Sequence, residues 1–370
     1  MKFSISRERL LQPLQSISGA VEKRQTLPIL SHIFVNVSDT NDLTIIGTDL
    51  EVEIKITLPL DQPSTPGTTT FPARKFFDLS KAISEESDIN IQVSKNRATV
   101  RSMKSRFTLS TLPSDEFPRV DKIKEVAQVD ELTQSLFKNL LQKTQFSMAM
   151  QDVRYYLNGL MLELEGNKIC FVATDGHRLA YASRTLKQDY GDKKQVIIPR
   201  KAVHELLRLL SDSDEPVQIK VGSNHIQVIF GDLTLTTKLI DGRYPDYDRV
   251  IPRDGDRTLV TNKGSFRSAI SRVSILSNEK YRGIRMAMSE STVKIHANNP
   301  EQEEAEEELM VSYSGKSMEI GFNSAYMMDA LSVVDDDEVT IYFIDEKSSS
   351  LIHTLKDKEE YKFVIMPMRL

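Results

Sequence analysis

In "TDGHR", residues 174–178, a carboxylate and an imidazole stand two positions apart, Asp175 and His177, a pairing that acid–base chemistry uses. The context favours a turn instead. Asp-Gly between the β-like runs "ICFVA" and "RLAYAS" is a hairpin signal, because a type I′ turn needs positive φ. Histidines His32, His177, His204, His225, His296 and His353 show no metal-ligand spacing, and "HELLR" at His204 lacks the second histidine of a zinc-binding helix. "RDGDR" (253–257) opens like a calcium loop without the glutamate that would close it. Glycine-rich phosphate loops and a serine elbow are absent. Cys170, the single cysteine, alternates with apolar neighbours and reads as packing; it excludes an internal disulfide and fits a reducing cytoplasm. These residues point away from catalysis, and no metal, cofactor or nucleotide site is expected.

Binding chemistry is better represented. Basic residues gather on helical stretches: Arg74, Lys75 and Lys81; Lys138 and Lys143; Arg200, Lys201 and Arg208; Arg267 and Arg272. Any one group is ordinary solvated helix, but their recurrence suggests a common basic face suited to phosphates. "QDVRYYLNG" (151–159) sets Gln151 and Arg154 beside Tyr155 and Tyr156, which read as half-core tyrosines able to stack on exposed bases. The chain ends in "YKFVIMPMRL", soft apolar side chains of the kind that accept several partner peptides. Net charge is −5, yet residues 254–370 alone hold 14 basic and 21 acidic residues. The acidity is local, with glutamates crowded into "NNPEQEEAEEEL" (298–309).

The elements that must position these groups recur. "TFPARKFFDLSKAI", "IIPRKAVHELLRLL" and "GFNSAYMMDALSVV" each join an extended approach to an amphipathic helix, with Pro72, Pro199 and Asn323 spaced by 127 and 124 residues. Asp49, Asp175 and Asn299 keep the same period, and "TLSTLPSDEFPRV" is echoed by "TTKLIDGRYPDYDRV". Each unit also opens with a helix, expected over 7–18, 131–146 and 263–276, the first bent at Pro13. Alternating segments such as "RFTLSTL" and "LTLTTKL" read as antiparallel strands. The result is an α+β chain of three repeated domains, each with two helices on antiparallel sheets, at residues 1–125, 126–253 and 254–370. At 370 residues the chain is too long for one core. It shows neither a signal peptide nor a window of membrane-spanning length, so a cytoplasmic protein is expected.

"TLPIL", "GTDLE", "PARKFFDL", "QFSMAMQDVRYYLNGL", "VATDGHRLA", "DGRYPDY", "ILSNEKYRG", "NNPEQEEAEE" and the terminal "MPMRL" occur in the order in which the bacterial DNA polymerase III β subunits, the β sliding clamps, carry them. The chain resembles that family from end to end. The resemblance implies a DNA-clamp fold and a head-to-tail homodimeric ring around double-stranded DNA, helices lining the hole. Such a ring tethers DNA polymerase III, confers processivity in DNA replication and has no catalysis of its own. It implies DNA contacts at Arg24, Arg74, Gln151, Tyr155, Tyr156, Arg200 and Lys201, some of them favouring single-stranded template. It implies a peptide pocket, used by polymerases and the clamp loader, formed by Leu157, Thr174, Gly176, His177, Arg178, Leu179, Pro245, Arg249, Val250, Asn323, Tyr326, Met366, Pro367, Met368 and Arg369. Lys347 and Tyr281 depart from the family pattern near it. A dimer contact is implied between Lys75, Leu79, Arg97, Arg101, Lys104, Arg106 and Leu109 of one subunit and Ile275, Leu276, Glu301, Glu303, Glu304, Glu306 and Glu307 of the other. The rival readings are an enzyme on a threefold repeat and a repeat scaffold that binds peptide motifs but not DNA.

Overall fold

A computed structural model describes residues 1–21, 27–120, 123–253 and 255–369. Among the described residues six helices, α1 (Arg7–Ile17), α2 (Ala73–Ala82), α3 (Gln134–Gln142), α4 (Arg200–Leu209), α5 (Lys263–Val273) and α6 (Ser324–Ser332), fall where the apolar spacing puts them. Ser6 starts α1 by accepting the Arg9 N–H, and Asn262 starts α5 by accepting that of Ser265. The first helix buries Leu10, Leu14 and Ile17 and runs through Pro13 without interruption.

The chain divides into two compact units. Unit 1 comprises residues 1–138 and 204–239. One of its sheets has four antiparallel strands in the order Lys2–Ser6, Asp88–Ser94, Arg97–Ser102, Ser105–Ser110. The other has eight: Gly67–Pro72, His32–Val37, Asp42–Thr48, Val52–Pro59, Leu233–Lys238, His225–Phe230, Pro216–Gly222 and Glu125–Thr133. At its seam Leu235 faces Ile54 and Thr237 faces Val52, pairing residues 181 and 185 positions apart. Phe71 stacks on Phe76 of α2 with ring centroids 4.5 Å apart, both fully buried.

Unit 2 comprises residues 139–203 and 240–370. Its nine-stranded sheet runs Lys194–Pro199, Gly159–Glu165, Lys168–Thr174, Arg178–Thr185, Glu359–Ile365, Ser350–Lys356, Glu338–Phe343, Arg257–Asn262, Ser312–Ser314. Here the seam sets Leu179 opposite Val364 and Ala182 opposite Tyr361. A four-stranded sheet follows the order Glu304–Met310, Thr292–Asn298, Gly283–Met288, Met318–Asn323.

Strands of the repeat near residues 126–253 enter a sheet in each unit, because lateral pairing carries hydrogen bonds that local periodicity does not reveal. Two expectations change. Lys143 does not stand on an exposed basic face. It is buried, its ammonium bonded to the Val333 carbonyl and, at 2.5 Å, to Asp335. The "TDGHR" hairpin is not a type I′ turn: Thr174 pairs with Leu179, leaving four residues between, and Gly176 alone of them has positive φ, at 88°.

Candidate functional site

A cavity of about 500 Å³ opens in unit 2, within the range that binds peptide side chains and small ligands. Five chain segments supply it. The turn after Lys168–Thr174 brings Thr174, Gly176, Arg178 and Leu179; a second wall runs from Pro245 to Pro252; the turn before Ser350–Lys356 adds Ile344, Lys347, Ser348 and Ser349; and Val364 and Met366 close the far side. Arg154, Tyr156 and Leu157 complete the lining. The floor is apolar: Leu157, Leu179, Val364 and Tyr247 are buried in one core cluster.

The turn is built by its own side chains. Asp175 Oδ1 accepts the N–H groups of His177 and Arg178 at 2.9 and 3.1 Å, and Thr174 Oγ1 accepts that of Gly176 at 3.1 Å. A Cβ on Gly176 would lie 2.9 Å from the movable tip of the Arg154 side chain and would be strained at this backbone angle, so glycine is favoured there. Arg178 ties the wall together: it bonds Asp175 at 3.0 Å, Asp329 at 2.5 Å and the Phe146 carbonyl at 2.6 Å, with its guanidinium 4.4 Å from the Tyr326 ring centroid. Arg154 chelates Asp152, and these hydrogen bonds pull the Asp152 carboxyl down to about 2. Arg249 pairs with Asp246 at 2.7 Å.

Of the pocket residues the resemblance implied, Leu157, Thr174, Gly176, Arg178, Leu179, Pro245, Arg249, Val250 and Met366 line this cavity. Beside it, His177 stacks on Tyr326, with ring centroids 6.5 Å apart, and Asn323 caps α6 by accepting the N–H groups of Ala325 and Tyr326. Pro367, Met368 and Arg369 are outside the lining; the Met368 N–H is taken by the Gly321 carbonyl. Lys347 is in the lining, whereas Tyr281 is exposed away from it, its carbonyl accepting from Asn323. Sequence reasoning missed Tyr247 and Val364. "YPDY" carried a signal for the first, since it matches "FPRV" one repeat earlier; nothing local signals the second, which arrives by sheet register.

That earlier copy exists in unit 1 with the same construction. Asp49 Oδ1 accepts the N–H groups of Glu51 and Val52, Thr48 Oγ1 accepts that of Leu50, and Leu50 takes φ 77° where the other copy has Gly176. A cavity of about 430 Å³ lies beside it, but Glu53 occupies the place of Leu179, Lys238 that of Met366 and Arg119 that of Asp246. Burial lifts the Glu53 carboxyl above its ordinary 4.5, against the opposing hydrogen bond from the Val120 N–H and the charges of Lys55 and Arg119. The folded chain thus holds this proton more tightly than the unfolded one. Ionised Glu53 costs stability above the folded-state pKa, and that cost fades as pH falls through it toward 4.5. Glu53→Gln is expected to raise the melting temperature at pH 7.5, with the gain shrinking toward zero near pH 4.5; calorimetry across that range checks it.

The candidate DNA contacts are distributed differently. In unit 1, Arg74 is exposed on α2, 3.8 Å from Asp78. In unit 2, Gln151 is exposed at φ 55°, Tyr155 is 58% exposed with its ring edge-on to Tyr156, and Lys201 is half-buried. Arg200 turns partly inward, donating to the Met148 and Ala149 carbonyls. Arg24 lies outside the described residues, as does Asp254 of "RDGDR". Among the described residues no three His, Cys, Asp or Glu side chains are placed to hold a metal. Burial pushes the Cys170 thiol up to about 11, so it is protonated and poorly nucleophilic at neutral pH.

Two sheet edges have opposite charge. Ser105–Ser110 ends its sheet in unit 1, and on or near it Arg97, Arg101, Lys104 and Arg106 are exposed; Leu109 is half-buried there, as is Leu79 on α2, where Lys75 is exposed. Glu304–Met310 ends its sheet in unit 2 with Glu301, Glu303, Glu304 and Glu306 exposed, and Ile275 and Leu276 lie on the short helical turn Ser274–Leu276, the former 77% exposed. Glu307 is engaged within the chain, bonded twice by Arg272.

Profiles of the N-terminal, central and C-terminal domains of the DNA polymerase III beta subunit match residues 1–121, 131–246 and 248–369. The beta sliding clamps of Pseudomonas aeruginosa and Escherichia coli K12 are each 47% identical over 370 residues, all of both chains. A crystal structure of the P. aeruginosa DNA polymerase sliding clamp with ligand superposes with a TM-score of 0.96 over the whole of both chains at 47% identity. One from Bartonella birtlesii bound to griselimycin, 33% identical, gives 0.94, again over the whole of both chains. The chain belongs to the DNA polymerase III beta subunit family, with three repeated clamp domains of helices and antiparallel sheets. Its function is that of a DNA sliding clamp in replication, working with DNA and DNA polymerase. Among the described residues no helix is long and apolar enough to cross a membrane.

Proposed function

We propose that two copies close head to tail into a ring around duplex DNA, and that the ring works by topology rather than by chemistry of its own. The observation that carries this reading is the pair of exposed, oppositely charged sheet edges, Ser105–Ser110 and Glu304–Met310. An unpaired edge is a template for another strand. Opposite charges favour a heterologous pairing of basic edge with acidic edge over like with like, and a heterologous contact whose rotation closes makes a ring. The domains divide near residues 1–125, 126–253 and 254–370. Arg24, Arg74, Gln151, Tyr155, Tyr156, Arg200 and Lys201 make weak, sequence-indifferent contacts to DNA that permit sliding.

The cavity in unit 2 takes the short peptide motifs of polymerases, the clamp loader and repair proteins: an apolar floor accepts anchor side chains and the arginine-held turn orients the backbone. Griselimycin, named with two clamp structures at 47% and 33% identity, is the ligand class proposed for the same pocket. The protein needs no cofactor, acts in the cytoplasm and catalyses nothing itself.

The test is retention. Loaded by its clamp loader onto nicked circular plasmid, the protein is expected to co-elute with the circle in gel filtration and to leave after a single cut. Persistence on the linear product would mean surface affinity and would sink the topological reading. Failure to stay on the circle with an active loader would remove ring closure.

A further inference from the structure

One buried carboxylate beneath the pocket has no part in the function described so far. Glu163 sits on Gly159–Glu165 between Leu162 and Leu164 and is 2% exposed. Its cross-strand neighbours are Cys170 and Gln195. Oε1 accepts the Tyr247 hydroxyl at 2.9 Å; Oε2 accepts Gln195 Nε2 at 2.6 Å and lies 3.2 Å from Lys193 Nζ. Lys193 also reaches Glu165 at 3.1 Å, and its side chain is 39% exposed. The outer end of this network is therefore wet and the inner end is a pocket wall, because Tyr247 lines the cavity and anchors the segment from Pro245 to Pro252.

We propose that Glu163 is a positioning residue for the peptide pocket, holding the Tyr247 wall in place, and that Lys193 is its exposed counter-ion, so that loss of the Lys193 charge loosens the pocket from outside. This rests on the pocket reading above. The physics is that of a buried ion: a carboxylate withdrawn from water is tolerated while donors and a cation satisfy it, and removing one partner leaves the others to rearrange. Tyr247 is the partner with most freedom to do so, since its short helical turn Tyr247–Arg249 is bounded by Pro245 and Pro252 rather than by sheet. Anything that neutralises Lys193, acylation of its amine included, would act on peptide affinity without touching the peptide.

The experiment measures griselimycin binding by calorimetry to the full-length protein carrying Tyr247→Phe, Lys193→Gln, both changes, or Lys193→Arg. Tyr247→Phe is expected to weaken binding about fivefold and Lys193→Gln about threefold, the scale of one charge-assisted hydrogen bond felt indirectly. The double variant should be no weaker than Tyr247→Phe alone, because both changes break one path. Lys193→Arg should restore wild-type affinity, which a merely structural role for the loop does not require. Unchanged affinity in the single variants, or fully additive losses, would overturn the proposal. Leu179→Glu serves as the control on the pocket itself: if it binds griselimycin undiminished, the pocket reading falls and the inference with it.

Discussion

Reversing Glu301, Glu304 and Glu306 to lysine is expected to convert the proposed dimer to monomer in equilibrium sedimentation, with the dissociation constant raised by about a hundred- to a thousandfold. The choice of residues follows from their surroundings. Among the described residues Glu304 and Glu306 face only the distant side chains of His296 and Lys294, at 3.8 and 3.9 Å, and both are exposed. Glu307 is spared because Arg272 holds it within the chain, and Glu303 because it accepts from Asn299 in the turn that leads into the strand. Exposed ion pairs contribute about 0.2–1 kcal/mol each. Reversal replaces three attractions by three repulsions, which is about 3–4 kcal/mol in all and sets the predicted change in affinity. Because these charges are solvated, the effect should shrink in high salt. Reversing Arg97, Arg101 and Arg106 to glutamate in the same chain should recover the dimer. A variant that sediments as an undisturbed dimer would mean that the acidic edge does not face the basic one.

Ending the chain at Ile365 is expected to abolish peptide binding, lowering griselimycin affinity by at least about a hundredfold, while the melting temperature moves little. The strand Glu359–Ile365 stays complete, so its pairing with Arg178–Thr185 and Ser350–Lys356 survives. What disappears is the Met366 wall, together with the hydrogen bonds of the Met366 N–H to the His177 carbonyl and of the Met368 N–H to the Gly321 carbonyl. Burying one methionine against a ligand contributes roughly 1.5–3 kcal/mol, and the turn that loses its brace adds to that. Met368→Lys should be milder than Met366→Lys, since Met368 lies outside the lining. Equal binding by the truncated and full-length proteins would place the peptide elsewhere. DNA retention should persist in both.

The helices and the threefold period were legible in the sequence because each repeats an apolar spacing that one segment carries by itself. Much of the pocket was legible only through family resemblance, and there the backbone explains both the success and the gaps. Gly176 and Arg178 are tied to a turn whose residues are adjacent in the chain. Val364 meets Leu179 across a seam nearly two hundred residues wide, and no period reports that register. Lys143 misled for the opposite reason: a lysine at the end of an amphipathic helix looks solvated until a carbonyl and a carboxylate from residues 333 and 335 close over it. The hairpin at Asp175 was read for its glycine, yet the carboxylate bonding two successive N–H groups is what shapes it.

The two seams mean that the segment copied by duplication and the body that folds are out of phase. Strands from residues 125–133 and 216–238 complete a sheet begun by residues 32–72, while those from 159–199 complete one continued by 257–365. A newly inserted copy would therefore arrive as two half-sheets, each needing a neighbour of its own kind, and the neighbours it displaced would need the same. Growth by whole repeats preserves every junction, much as adding a link preserves a chain. An isolated repeat would expose a raw strand edge at each end and would be prone to aggregate. The lineage of such a protein is thus constrained to gain or lose complete copies, with side chains such as Glu53 and Leu179 free to diverge on a backbone that is not.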